Sequence, residues 1–150
     1  MNINKLKEEL KIDEGYKNEI YADHLGYLTF GIGHLVLDTD PEHGLEIGTY
    51  ISDERIHEVF EADIEVVIKD CRNEYVFFDD LPEEVQCIVA NMMFNMGKPR
   101  MGKFVNFKVA LAERDWKRAA VEMEDSRWHK QVTNRANRLI ERMQNVEETT

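Results

Sequence analysis

The chain has 150 residues, of which 43% are hydrophobic and 33% are charged, and its net charge is -11. This length supports one globular domain with a full core, and no apolar run approaches the roughly 18 residues that a membrane span requires. The acidic balance argues against general nucleic-acid binding, which depends on cationic surfaces.

The charge is divided unevenly along the chain. Residues 1–97 carry 7 Lys/Arg against 22 Asp/Glu, whereas residues 98–142 carry 12 against 6. A basic face in the second segment can meet an anionic polymer, although a solvated helix surface explains the same cations equally well.

The N-terminus and the cysteines indicate a cytoplasmic site of synthesis. The segment MNINKLKEELK is polar and lacks the apolar core and the cleavage site of a signal peptide. Cys71 and Cys87 lie within or beside helical apolar patterns and have no CxxC spacing. We therefore expect reduced core thiols rather than a disulfide or a metal site.

The segment 1–32 predicts a helix followed by a small sheet. Apolar residues at helical spacing follow a capping asparagine at position 2 or 4, and the pattern stops after Glu14. Residues 16–32 are rich in β-formers broken by polar residues and glycine, which is typical of a hairpin or meander packed on helices.

The middle of the chain predicts two helices. Residues 36–51 contain one proline and two glycines and predict an irregular connection. Ser52 then caps an amphipathic helix that we place at about 53–74. Beyond it, two capping aspartates and Pro82 mark the start of a helix that runs to Gly97 and is apolar nearly all round, so we expect it to be buried.

The remainder predicts helices only. A turn at 98–102 precedes a short helix at 104–111, and Asp115 and Thr133 are expected to cap the last two helices. The predicted fold class is therefore α+β with a strong helical bias.

Two carboxylates and a hydroxyl near the N-terminus suggest acid/base cleavage of a glycosidic bond. Glu14 ends the first helix, where the negative end of the helix dipole and apolar neighbours favour its protonated form. Asp23, in a polar turn, is expected to stay ionised, and Thr29 lies on the following strand. In a chain with 30 acidic residues, however, this spacing alone is weak evidence.

Three separated motifs strengthen this hypothesis. Residues 12–34 contain I-D-E-G, then an aspartate, then G-Y-x-T-x-G-I-G-H, while N-M-x-F-N-M-G occupies 91–97 and S-R-W-x-x-Q-x-x-N-R-A occupies 126–136. Together they resemble the T-even-phage-type lysozymes, endolysins that cut the glycan of bacterial peptidoglycan. The resemblance covers nearly the whole chain in the same motif order.

The resemblance implies a two-lobe, lysozyme-like fold with a saccharide groove between the lobes. We expect one domain over residues 1–150, in which a small β-containing lobe spans about 12–58. The helical lobe takes about 1–11 and 75–145, and the helix at about 53–74 connects the two.

The resemblance also implies the reaction, which is hydrolysis of the β-1,4 bond between N-acetylmuramic acid and N-acetylglucosamine. Glu14 would protonate the leaving oxygen, while Asp23 and Thr29 would hold and activate the attacking water. This mechanism inverts the anomeric carbon and needs carboxyl groups roughly 6.5–9.5 Å apart. No cofactor or metal is expected, since the five histidines form no HExxH or similar ligand set.

The family motifs suggest three supporting residues. Arg135 is expected to orient Glu14, although its charge opposes protonation of that acid. His34 ends the motif G-I-G-H, and Asp63 is its expected carboxylate partner in a structural rather than catalytic pair.

Substrate contacts are expected at four further positions, which are Leu28, Asn95, Gly97 and Phe107. Trp128 can stack on a sugar, but a core position is the more usual one for an aromatic residue in a helical lobe. The connection at 36–51 looks shorter than is usual in the family, the chain ends soon after its last motif, and its acidity is unusual for an enzyme that approaches an anionic wall.

Two other functions fit parts of the pattern. A peptidoglycan-binding module without catalysis would not need all three of Glu14, Asp23 and Thr29. A transglycosylase would use the same acid and form an anhydro product, a reaction that Thr29 disfavours.

The expected biological setting follows from the resemblance. The partner would be bacterial peptidoglycan, with no nucleic acid and no stable membrane insertion, and the protein would be a monomer. It would act in host cell lysis, leaving the host cytoplasm for the periplasm and wall through a membrane lesion such as a phage holin provides.

Overall fold

Helices dominate the computed structural model, which describes residues 1–147; the last three residues of the predicted domain lie outside the described part. The described residues form eight α-helices and one antiparallel sheet with strand order β1-β2-β3, so the predicted α+β class is confirmed. The strands are β1 (Lys17–Ala22), β2 (Leu28–Gly31) and β3 (His34–Leu35). The helices are α1 (Ile3–Glu14), α2 (Asp53–Glu74), α3 (Glu83–Met96), α4 (Lys98–Met101), α5 (Val105–Ala112), α6 (Trp116–Glu124), α7 (Arg127–Gln131) and α8 (Thr133–Gln144).

The chain divides into two compact units. One unit is Lys7–Val66, and the other comprises Met1–Leu6 and Val67–Thr150, so that the division falls within α2. The first unit, which contains the sheet, carries 4 Lys/Arg against 16 Asp/Glu and accounts for most of the acidity of the chain. The lobe boundaries expected from the resemblance stay a prediction.

The helix and sheet predicted at the N-terminus are both present. The Asn2 side chain caps α1 by accepting a hydrogen bond from the N–H of Lys5 at 3.1 Å, and the helix ends at Glu14, as expected. The chain then enters the sheet, in which β1 pairs with β2 so that Tyr21 lies opposite Thr29. The last residue of α1 and these two strands are thereby held in one unit.

The end of the irregular connection at 36–51 runs beside β1, and the two are joined by backbone hydrogen bonds. The N–H of Ile20 donates to the carbonyl of Thr49 at 3.0 Å, and the N–H of Gly48 donates to the carbonyl of Ile20 at 2.8 Å. Arg55 of α2 adds a bidentate ion pair to the buried Glu42, with both N–O distances at 2.9 Å. Segments without regular structure are thus fixed by specific polar contacts.

The long helix α2 begins as the sequence predicts. The Ser52 hydroxyl accepts from the N–H of Arg55 at 3.1 Å and satisfies one free donor of the first turn. Its apolar stripe contributes to a core shared with the sheet. The buried apolar residues of the unit Lys7–Val66 include Leu10, Ile20, Phe30, Ile32, Ile51, Ile56, Phe60 and Ile64.

The unit formed by the later helices is organised around α3. Ten of its fourteen residues are buried, which confirms the prediction of a central helix. Cys87 on α3 and Cys71 on α2 are buried free thiols, as expected, and burial raises the pKa of Cys71 to about 12. Among residues 1–147, no helix combines the length and the hydrophobicity that a bilayer crossing requires.

Several predicted helix ends were wrong. Asp79 and Asp80 form a short 3-10 helix with Phe78 and do not cap α3, whose N-cap is Pro82. Residues 98–101, predicted as a turn, form α4. Pro99 is compatible with this helix because it lies in the first turn, where its missing N–H costs no hydrogen bond.

Two other features of the C-terminal helices were also missed or misassigned. The five-residue helix α7 is too short to show an apolar periodicity. The capping residue Ser126, whose side chain accepts from the N–H of His129, is the local feature that marks its start. Thr133 does not cap α8, because its hydroxyl donates backwards to the carbonyl of His129 at 2.9 Å. Asp115, in contrast, caps α6 as predicted.

Candidate active site

Glu14 is the last residue of α1 and is half-buried. Gly15, with a φ of 75°, stops the helix immediately after it and turns the chain towards β1. The turn between β2 and β3 also lies close to Glu14. A methyl group added to Gly33 in this turn would be only 2.7 Å from the Oε1 atom of Glu14. The carboxyl group is therefore bounded by main chain on one side.

Asp23 organises the turn between β1 and β2. Its Oδ1 atom accepts from the N–H groups of Leu25 and Tyr27, each at 2.9 Å. Within residues 1–147 its Oδ2 atom has no hydrogen-bond donor from the protein. One oxygen thus fixes the turn, and the other is available to a water or a ligand.

Thr29 is attached to the same turn as Asp23. Its hydroxyl donates to the carbonyl of Tyr27 at 3.0 Å, and the backbone N–H of Asp23 donates to that carbonyl at 2.9 Å. Because the hydroxyl hydrogen is used, the oxygen lone pairs of Thr29 remain for a donor such as water. The Thr29 side chain is buried, so its geometry is well defined.

Tyr21 connects these residues and was missed at the sequence level, where it is only one of several β-formers. It lies directly opposite Thr29 in the β1-β2 pair, and residues so paired present their side chains on the same face. Burial, followed by the negative charges of Glu14 and Asp23, raises the pKa of its hydroxyl. Both carboxyl groups are therefore close to one phenol that stays protonated and able to donate.

This arrangement has the components of acid/base chemistry. A half-buried carboxyl group and a turn carboxylate with one oxygen available both act electrostatically on Tyr21, and a hydroxyl oriented as an acceptor lies opposite Tyr21 in the sheet. The structure thus brings Glu14, Asp23 and Thr29 into one neighbourhood, although their catalytic roles stay a prediction.

His34 is held between two carboxylates. Its Nδ1 atom lies 2.7 Å from Asp63 Oδ2, and its Nε2 atom lies 2.7 Å from Asp40 Oδ2. Asp40 was not anticipated, because its approach depends on the path of the irregular connection. The imidazole also contacts the Phe30 ring, with centroids 5.0 Å apart.

The charges of this cluster reinforce one another. Burial lowers the pKa of His34, but hydrogen bonds and charges from Asp63 and Asp40 outweigh it, so the pKa is raised. For Asp40, burial raises the pKa. A hydrogen bond from the N–H of Leu37 and the interaction with His34 lower it by more, so the pKa of Asp40 is lowered overall. The cluster fastens the connection at 36–51 to β3 and α2.

The other predicted residues occupy varied positions. Asn95 is half-buried, and its Oδ1 atom accepts from Nε1 of the buried Trp128 at 2.7 Å, so the prediction that Trp128 is a core residue is confirmed. Gly97 follows α3 with a φ of 80°. Phe107 is buried and is among the residues that line a pocket in the helical unit, and its contact with substrate stays a prediction. Leu28 begins β2 and is half-buried.

Arg135 is buried in the helical unit. Its Nε atom donates to Asn91 Oδ1 at 2.9 Å, which fixes the guanidinium against α3. The pocket in this unit, of about 610 Å³, is lined by aromatic and charged side chains, including Phe104, Arg100 and Arg127. None of Glu14, Asp23 and Thr29 lines it. In the described part of the chain, no three His, Cys, Asp or Glu side chains form a group suited to a metal ion.

Comparisons with known proteins identify the family of the chain. The phage lysozyme family model matches residues 11–145. Probable T4-type lysozymes 2 and 1 of Dictyostelium discoideum are each 31% identical to the chain, with 92% of this chain and 92% of each relative covered. The pre-baseplate central spike protein Gp5 of Enterobacteria phage T4 is 27% identical, over 89% of this chain and 26% of that protein. The chain therefore belongs to the phage lysozyme family and is a lysozyme.

Proposed function

We propose that the protein hydrolyses the β-1,4 bond between N-acetylmuramic acid and N-acetylglucosamine in bacterial peptidoglycan, with inversion at the anomeric carbon. The observation that carries this proposal is the attachment of Asp23 and Thr29 to one peptide carbonyl, that of Tyr27. A fixed carboxylate and a fixed hydroxyl side by side suit the capture of one water molecule.

In this mechanism Glu14 is the general acid. It protonates the glycosidic oxygen as the bond to the anomeric carbon breaks, and the leaving sugar departs with a free hydroxyl group. The half-buried Glu14 side chain at the end of α1, set against the main chain of Gly33, supports this role because its position is restricted.

Asp23 and Thr29 orient the attacking water. The water would donate one hydrogen bond to Asp23 Oδ2 and the other to the Thr29 hydroxyl oxygen, whose own hydrogen is bound to Tyr27. A lone pair of the water oxygen then points away from the protein, towards the face of the sugar opposite the leaving group. Asp23 removes a proton as the new bond forms.

Substrate contacts are proposed at Leu28, Asn95, Gly97 and Phe107. With its Oδ1 atom occupied by Trp128, the Asn95 amide presents its NH₂ group as a donor for a sugar hydroxyl or an acetamide carbonyl. Arg135 and His34 are proposed as supporting residues. The cations at 98–142, rather than the acidic unit, would face the anionic polymer.

We propose that this activity serves host cell lysis and that the monomeric enzyme reaches the wall through a holin lesion. Expression in a susceptible bacterium tests this setting. Lysis is expected only when a holin is co-expressed, and lysis of equal speed without one would contradict the proposed route.

Digestion of purified peptidoglycan tests the reaction. Turbidity should fall, and mass spectrometry should find fragments that have gained one water, whereas a transglycosylase would release anhydro fragments and a binding module none. Proton NMR of fresh products should show the α anomer first, because inversion of a β bond produces it. Initial accumulation of the β anomer would refute attack by a directly bound water.

A further inference from the structure

The turn between β2 and β3 lies against the side chain of Glu14. Gly33 has a φ of 65°, and a methyl group on its Cα atom would lie 2.7 Å from Oε1, 2.9 Å from Cδ and 3.0 Å from Cβ of Glu14. Non-bonded carbon atoms prefer separations of about 3.5–4.0 Å, so no side chain fits between them. The glutamate therefore lies along the bare main chain of this turn.

We propose that Gly33 is a positioning residue for the catalytic acid. Its main chain, which carries no side chain, packs against Glu14 and fixes the position of the Glu14 carboxyl group. The proposal rests on the proposed role of Glu14. If a methyl group is added at Gly33, the most compliant neighbour is the glutamate side chain, which must rotate away from its present site. The proton donor would then be displaced from the glycosidic oxygen.

Other glycines provide matched controls for backbone strain. Gly31 has a φ of 67°, but a methyl group there would meet Ile56, with 3.0 Å to Cγ2, rather than Glu14. Gly44 has a φ of 90° and open space around the same position. Alanine at any of the three positions would have to adopt a left-handed backbone conformation, which is strained for a residue with a side chain. Only at Gly33 would the added methyl group also contact Glu14.

The experiment compares Gly33→Ala, Gly31→Ala and Gly44→Ala on purified peptidoglycan, with rates corrected for the folded fraction from urea unfolding. All three variants should lower the urea midpoint. Only Gly33→Ala should lower kcat by roughly 100-fold, the loss expected for a misplacement of about 1 Å. It should also shift the alkaline limb of the pH-rate profile, where the acid loses its proton, with little change in KM.

Three outcomes overturn the inference or separate it from the proposed function. If Gly33→Ala retains kcat within threefold of Gly31→Ala, the positioning role is wrong. If Glu14→Gln remains active, the assignment of the acid itself has failed. If Gly33→Ala does not fold, the double variant Gly33→Ala with Glu14→Ala removes Oε1 and Cδ from the added methyl group and should fold, as Gly44→Ala does with backbone strain alone. A double variant that stays unfolded while Gly44→Ala folds would contradict the contact.

Discussion

The backbone N–H of Asp23 and the hydroxyl of Thr29 donate to the same acceptor, the carbonyl of Tyr27, at 2.9 and 3.0 Å. The N–H of Tyr27 in turn donates to Asp23 Oδ1 at 2.9 Å. One residue of the β1-β2 turn thereby sets the relative position of two proposed catalytic groups. Changes to Asp23 must therefore be designed to separate charge from turn geometry.

Asp23→Asn should retain the fold and lose activity. The asparagine Oδ1 atom can still accept from Leu25 and Tyr27, but the neutral amide cannot take a proton from water. Asp23→Ala should lose the turn bonds as well, with a further cost of about 1 kcal/mol in the free energy of unfolding. Urea unfolding and kcat together check both, and an active Asp23→Asn enzyme would contradict the base role.

Thr29 should tolerate serine but not valine. Serine preserves a hydroxyl that can donate to Tyr27 and accept from water, whereas valine has nearly the same shape without either function. We expect Thr29→Ser to stay within tenfold of the wild-type kcat and Thr29→Val to lose at least about 100-fold. Equal activity of the two variants would show that the hydroxyl does not hold the water.

Tyr21→Phe should reduce the rate without unfolding the protein. Burial, followed by the negative charges of Glu14 and Asp23, raises the pKa of the Tyr21 hydroxyl, so it keeps its proton near neutral pH. Loss of one such donor is expected to cost about 1 kcal/mol, or roughly a fivefold decrease in kcat. Tyr50→Phe, at an exposed position, is the control. A Tyr21→Phe rate equal to that of Tyr50→Phe would exclude a contribution from the Tyr21 hydroxyl.

Stability should depend on pH through His34 and Asp40. Because the folded pKa of His34 is raised, its contribution is complete below the unfolded value of about 6.5 and is lost as pH rises through the folded value. Because the folded pKa of Asp40 is lowered, its contribution is complete above about 3.9 and is lost as pH falls through its folded value.

Urea unfolding across pH 4–9 measures this dependence. The free energy of unfolding should decline on the alkaline side in the wild type, and this decline should be reduced in His34→Asn. His57→Asn changes an exposed histidine and should leave the decline in place. An identical alkaline decline in His34→Asn would show that the cluster does not control stability.

The local signals in the sequence predicted much of this fold. Caps at Asn2, Ser52 and Asp115 and the apolar periodicity of α2 and α3 each depend on neighbours within a few residues, so they are visible in the chain itself. The five-residue α7 has too few residues for periodicity to show.

Contacts set by tertiary structure were less predictable. Asp40 reaches His34 through the path of the irregular connection at 36–51, and no local sequence pattern specifies that path. The role of Tyr21 likewise depends on the β1-β2 register, which places it opposite Thr29. Glu14, Asp23 and Thr29 were predicted because their family motifs are intact, whereas spacing alone would not distinguish the two carboxylates among 30 acidic residues.

The most direct test of the account is the activity of Glu14→Gln on purified peptidoglycan. Glutamine has the size of glutamate but cannot protonate the leaving oxygen, so turnover should fall by about 10²–10⁴-fold. The variant should keep the wild-type urea midpoint and still sediment with the wall. A folded Glu14→Gln protein that releases fragments at a rate within tenfold of the wild type would contradict the central claim.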